Sequence, residues 1–255
     1  MSWDLLDWTI IGPALLAGLL VLSTHVPLGQ VVLHRGIIFI DLAVAQVAAL
    51  GVIAAGSLGW EDNVYAVQVS AVGAALLAAA GLNWTEKYWP EIQEALIGTL
   101  FVLAATGSIL LLAENPHGGE YLKDILVGQI LWTTWGMLIP VGLLYAILLG
   151  IWFGNRQRMG RAGFYVTFAF AITAAVQIVG VYLVFASLIL PALATRKMKG
   201  AGRLIAGYAI GAFSYLSGIA VSALFDLPTG AVIVWTMAMF SVASGYLINR
   251  GKGAG

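Results

Sequence analysis

Gln177-Ile-Val-Gly-Val-Tyr-Leu-Val-Phe-Ala-Ser-Leu-Ile-Leu-Pro-Ala-Leu-Ala-Thr-Arg196 is apolar enough to sit in lipid, yet Gly180 and Pro191 interrupt it. In a helix interior Gly costs about 1 kcal/mol relative to Ala, and Pro about 3 kcal/mol. A span carrying both needs neighbouring helices to satisfy the freed backbone groups. The stretch therefore reads either as an ordinary kinked membrane helix or as one of the broken helices that line transport pathways.

The rest of the chain has the same character. Of 255 residues, 61% are hydrophobic and 9% charged, against roughly 25% charged in a soluble domain. The expected fold is all-α: a polytopic transmembrane helix bundle of eight to nine spans, forming a single domain over residues 1–250 with a disordered tail at 251–255. Apolar length and turn residues place spans near 9–28, 37–57, 64–83, 92–113, 132–153, 163–179, 181–194, 204–225 and 230–249. The sixth and seventh share the room between two basic loops, so each is about 16 residues and about 24 Å long, short of a hydrocarbon core of about 30 Å. They are expected to be short, broken or re-entrant helices. Tyr121, Leu122, Ile125, Leu126 and Ile130 recur as on a short interfacial amphipathic helix.

Charge supports nine passes. With the C-terminus cytoplasmic and the N-terminus outside, eleven of the twelve basic residues fall inside and only Lys123 falls outside, as the positive-inside rule requires. The outer loops are then acidic and would concentrate cations. The opening Met-Ser-Trp-Asp has no basic segment before its first apolar run, so a cleaved signal peptide is not expected. With no cysteine, thiol catalysis and Cys-based metal sites are excluded. A phosphate-binding GxxxxGK[ST] loop, HExxH and GxSxG are all missing, so the chain is expected to be no enzyme, and a net charge of zero gives no hint of nucleic acid.

The polar residues of the spans stand out against this background. Asp41 and Gln46 are the polar residues of the second span, and an ionisable group there costs at least about 2.5 kcal/mol on insertion scales. Either Asp41 belongs to a translocation path, or it sits at the cytoplasmic interface, capping its helix or pairing with Arg35. On a helix it lies about 140° from Gln46. The expected path residues are Asp41, Gln46, Gly180 and Pro191. Glu114, His117, Glu120 and Asp124 form the densest group of ligand types, so His117 joins Asp41 as a candidate metal contact. His25 and His34 read as interfacial residues. The basic loop with Arg156, Arg158 and Arg161 is either topogenic or a docking surface for a cytoplasmic partner. Gly207 and Gly211 form a GxxxG packing motif.

Several stretches, in order over nearly the whole chain, resemble the membrane permease subunits of bacterial ABC transporters for zinc and manganese. The most specific are Val179 to Arg196, similar to that family's Val-Gly-(Ile/Val)…Pro-Ala-Ala-Thr pattern, and Asp226-Leu-Pro-Thr-Gly230, similar to its Asp-x-Pro-(Ser/Thr)-Gly. Arg35 to Gly51, Glu94 to Phe101 and Asp124 to Leu131 are similar to further segments. The resemblance implies a homodimer in the bacterial inner membrane, cytoplasmic ATP-binding subunits and an extracytoplasmic metal-binding protein. It implies no covalent cofactor. ATP would act only through the partner, and a divalent metal would be the cargo: zinc first, then manganese or iron. Two features depart from the family. Its second helix carries Asp and His four apart, whereas Asp41 is followed by Ala45, with Gln46 adjacent. Oxygen donors without imidazole favour harder ions than zinc. The segment before the sixth helix is also short and basic, where the family carries an acidic coupling helix. A divergent permease for a non-metal solute, or a non-transporting scaffold of the same fold, are the alternatives.

Overall fold

The computed structural model describes residues 8–155 and 159–251. Its helices are α1 (Trp8–Arg35), α2 (Ile40–Ser57), α3 (Val64–Tyr88), α4 (Gln93–Leu111), α5 (Gly118–Val127), α6 (Trp135–Asn155), α7 (Arg161–Val179), α8 (Val181–Ala194), α9 (Gly200–Phe225) and α10 (Thr229–Gly251). No strand occurs among the described residues. Eight helices are long and apolar enough to cross a membrane, and α8, at 14 residues, is a shorter apolar helix. The chain is thus an all-α, multi-pass bundle. α7 starts at Arg161 and has 19 residues, enough for about 28 Å. Only α8 is as short as expected.

Burial sorts the helices. In α1, α2 and α7 more than half of each spanning window is buried, against 17% in α4 and α10. The central helices owe this to small side chains. Ala43, Ala45, Ala48, Ala49 and Gly51 line α2, and a Cβ on Gly51 would come within 2.6 Å of the Ser70 carbonyl oxygen of α3. The Gly207/Gly211 motif packs α9 on α1, where added Cβ atoms would meet Val26 and Leu22. His25 is fully buried in the middle of α1, its Nδ1 2.9 Å from the Val21 carbonyl oxygen. It is therefore not interfacial, because α1 continues ten residues past it to Arg35. His34 is exposed.

The interruptions of the opening stretch now have causes. Gly180 ends α7 and begins α8 at φ +80 and ψ 164, a region open in practice to glycine alone. Gly128, which ends α5, has nearly the same conformation (φ 75, ψ 164). The two glycines cross backbone to backbone: a Cβ on Gly180 would lie 2.3 Å from the Gly128 nitrogen. Gly230, near the start of α10, is pressed against the Val127 carbonyl in the same place. This crossing docks the apolar side of the amphipathic α5 onto the bundle against α4, α7 and α8, while Glu120, Tyr121, Lys123 and Asp124 stay exposed. Pro191 cannot donate to the carbonyl four residues earlier. The turn around it is held by Ser187, whose Oγ lies 2.9 Å from the Tyr215 hydroxyl, and by Thr195, which donates to the Pro191 carbonyl.

The Asp226-Leu-Pro-Thr-Gly230 turn is equally specific. Asp226 closes α9 in the left-handed conformation at φ 51, which Asp tolerates better than most residues. Ser222 Oγ donates to the Leu227 carbonyl and lies 2.5 Å from Thr229 Oγ1. Thr229→Val keeps the shape and removes the hydroxyl. It is expected to lower thermal stability by about 1 kcal/mol, as read from the melting temperature of the purified protein.

Candidate functional site

α2 begins just after Arg35, with Gly36 at φ 74 turning the chain back into the bundle. The first turn of α2 holds Asp41, which is fully buried. No side chain hydrogen-bonds to either of its carboxylate oxygens. Its own N–H and that of Leu42 lie nearby at the free start of the helix. Arg35 is engaged elsewhere: its Nη1 lies 3.9 Å from Glu86 Oε2 and its guanidinium sits 4.3 Å over the Phe164 ring. The Asp41–Arg35 pair that the sequence allowed is therefore not formed.

Beside Asp41, the start of α4 is fastened tightly. Gln93 is buried, donates to the Leu82 carbonyl and the Tyr165 hydroxyl, and accepts from Thr85 Oγ1 at 2.8 Å. One side chain thus joins α3, α4 and α7. Sequence reading missed it, because a lone Gln at a helix start resembles any interfacial residue. Gln93→Leu would remove all three of these hydrogen bonds and is expected to cost about 1–3 kcal/mol, measurable as a drop in melting temperature. Glu94, next along, accepts the Phe39 N–H at 3.2 Å and so closes the N-terminus of α2.

Gln46 occupies a different setting. It lines a partly open cavity of about 740 Å³ between α2, α4, α5, α8 and α10, with Leu42, Phe101, Tyr182, Phe185 and Trp235. Asp41 does not line this cavity, as expected from the angle between the two residues. Gly180 and Pro191 do not line it either. They set the course of α8, which contributes Tyr182, Phe185 and Leu190.

The cluster of Glu114, His117, Glu120 and Asp124 is not assembled. Among the described residues no group of three or more His, Asp or Glu side chains could hold a metal. His117 is exposed and lies 3.5 Å from Glu120, one turn along, and it is not joined to buried Asp41. Asp124 instead lines a separate pocket of about 260 Å³ with Gln129, Thr173 and Gln177. Gln177 in turn exchanges carboxamide hydrogen bonds with Gln68 of α3. Arg161, the first residue of α7, is exposed, while Arg156 and Arg158 lie outside the described residues.

Comparison with known proteins gives concordant findings. A family model described as the ABC 3 transport family matches residues 7–164 and 154–247. The manganese transport system membrane protein MntC of Halalkalibacterium halodurans is 27% identical over 254 residues, covering 91% of this chain and 85% of that protein. In the structure of PsaBC from Streptococcus pneumoniae in complex with Fab, one chain superposes with a TM-score of 0.76 at 22% identity, over 96% of this chain and 95% of that one. At that identity the match speaks for the fold.

Proposed function

The chain belongs to the ABC 3 transport family as a membrane permease of the zinc and manganese ABC transporter type, and from that premise we propose that it carries a divalent transition metal inward, with Asp41 as the cation-binding group. The observation that carries this reading is the fully buried carboxylate that no side chain pairs with. A bare ionised carboxylate in a low-dielectric interior costs several kcal/mol unless a cation or proton neutralises it. In a permease, the transported cation supplies that charge. With every route to it closed, Asp41 would hold its ion in an occluded state between openings to either side.

The cargo reading shifts from zinc to manganese. Alanine stands where the family carries histidine, so the site offers oxygen, and oxygen donors suit Mn²⁺ better than Zn²⁺. The manganese relative supports the same choice. The proposed translocation path runs from Asp41 into the neighbouring cavity lined by Leu42 and Gln46, with its open side closed by a second copy, and Gly180 and Pro191 are the residues that shape α8. ATP would bind separate cytoplasmic subunits, docked through the basic segment of Arg156, Arg158 and Arg161, and an extracytoplasmic binding protein would deliver the metal. The basic residues favour the N-terminus outside and the C-terminus in the cytoplasm of a bacterial cell.

The test is metal accumulation in proteoliposomes holding this chain, its ATP-hydrolysing partner and the binding protein. ATP-dependent uptake of Mn²⁺ in preference to Zn²⁺ and Fe²⁺ is the expected result. A well-formed complex that accumulates none of the three would overturn the metal reading in favour of an organic solute or a non-transporting role.

A further inference from the structure

Asp41 is not the only bare carboxylate at the start of α2. Glu94 reaches across from α4, and its two oxygens have different fates. Oε1 accepts the Phe39 N–H. Oε2 is closed off from solvent and has no hydrogen-bond partner. Phe39 and Asp41 are two residues apart, so the Glu94 carboxylate lies beside the same helical turn as Asp41, and the two act on each other electrostatically. Arg35, the basic residue closest in sequence, is occupied by Glu86 and Phe164.

We propose that Glu94 is the second carboxylate of the cation site, binding a divalent metal through Oε2 together with Asp41 while Oε1 holds the N-terminus of α2. The inference rests on the reading of Asp41 as the cation-binding group. Its chemical basis is charge. A divalent ion held by Asp41 alone leaves one uncompensated positive charge in a low-dielectric site, whereas two carboxylates neutralise it. Three oxygens that no side chain engages, two from Asp41 and one from Glu94, offer a donor set without nitrogen or sulfur, as hard divalent ions prefer. The arrangement also gives the ion a mechanical handle. Pulling on Glu94 pulls on Phe39, the residue before α2, and Phe39 stacks on Phe185 of α8 at 6.2 Å between ring centroids. Occupancy of the site is thereby linked to α2 and α8, two of the helices that border the Gln46 cavity.

Glu94→Gln separates this role from a purely structural one, because a carboxamide oxygen still accepts the Phe39 N–H but carries no charge. The measurement is Mn²⁺ binding to the full chain in lipid nanodiscs, followed by the electron paramagnetic resonance of free Mn²⁺, alongside the melting temperature. Glu94→Gln is expected to keep the wild-type melting temperature and to weaken Mn²⁺ binding by at least about tenfold. Asp41→Asn is expected to weaken it at least as much. If Asp41→Asn loses Mn²⁺ while Glu94→Gln binds as wild type, Glu94 only caps the helix and the proposal falls by itself. If the wild-type chain binds no Mn²⁺, the reading of Asp41 falls with it.

Discussion

Gly180→Ala is expected to lose most of its folded protein from the membrane, with a destabilisation of about 2–6 kcal/mol. Two independent costs add. The backbone at φ +80 and ψ 164 costs a residue with a Cβ about 1–3 kcal/mol. The new Cβ would also lie 2.3 Å from the Gly128 nitrogen and 2.6 Å from its Cα. These are main-chain atoms that no rotamer change can move, so the clash adds about 1–3 kcal/mol of overpacking. Gly128→Ala should behave alike, since it shares both the conformation and the contact. Gly81→Ala is the control: Gly81 is helical, with open space where its Cβ would go, so alanine there should be neutral or stabilising by up to about 1 kcal/mol. Fluorescence-detected size exclusion and melting temperatures of the three variants would read the difference. A Gly180→Ala protein as stable as Gly81→Ala would mean that the crossing of α5 and α7–α8 is not rigid.

Asp41→Asn is expected to abolish metal uptake while leaving the protein as stable as before or more so. The substitution keeps the shape and removes a charge that no side chain pairs with. Holding an ionisable group in a span costs about 2.5–3.5 kcal/mol on insertion scales. A residue kept only for packing would not be kept as a bare acid, so loss of transport with a raised or unchanged melting temperature is the signature of a functional charge. Uptake in proteoliposomes and thermal unfolding, measured on the same preparation, give both readouts. Full uptake by Asp41→Asn would remove Asp41 from the path. A collapsed melting temperature would show instead that the carboxylate is structural.

Much of the architecture was legible in the sequence because lipid leaves few options. Long apolar runs must become helices, so the spans, the break at Gly180 and the short α8 could be read directly. Asp41 stood out for the same reason, as an acid in an apolar run. The ligand types around His117 are close in sequence and apart in space. Once Gly118–Val127 is a helix, Asp124 faces a different pocket from the exposed His117–Glu120 pair. His25 likewise lies deeper than the sequence suggests, since a Pro-Gly sequence looks like a turn although Pro27 and Gly29 lie inside α1.

The sequence by itself determined that this chain is a multi-pass helical protein with an acid in its second span, because hydropathy and charge are local quantities. Which groups meet was decided by the tertiary structure alone. That Gly128 lies on Gly180, that Arg35 turns to Glu86 rather than Asp41, and that Glu94 reaches the start of α2 all depend on how helices far apart in the chain cross. A crossing is fixed by the summed packing of many small side chains, which no single stretch of the chain contains.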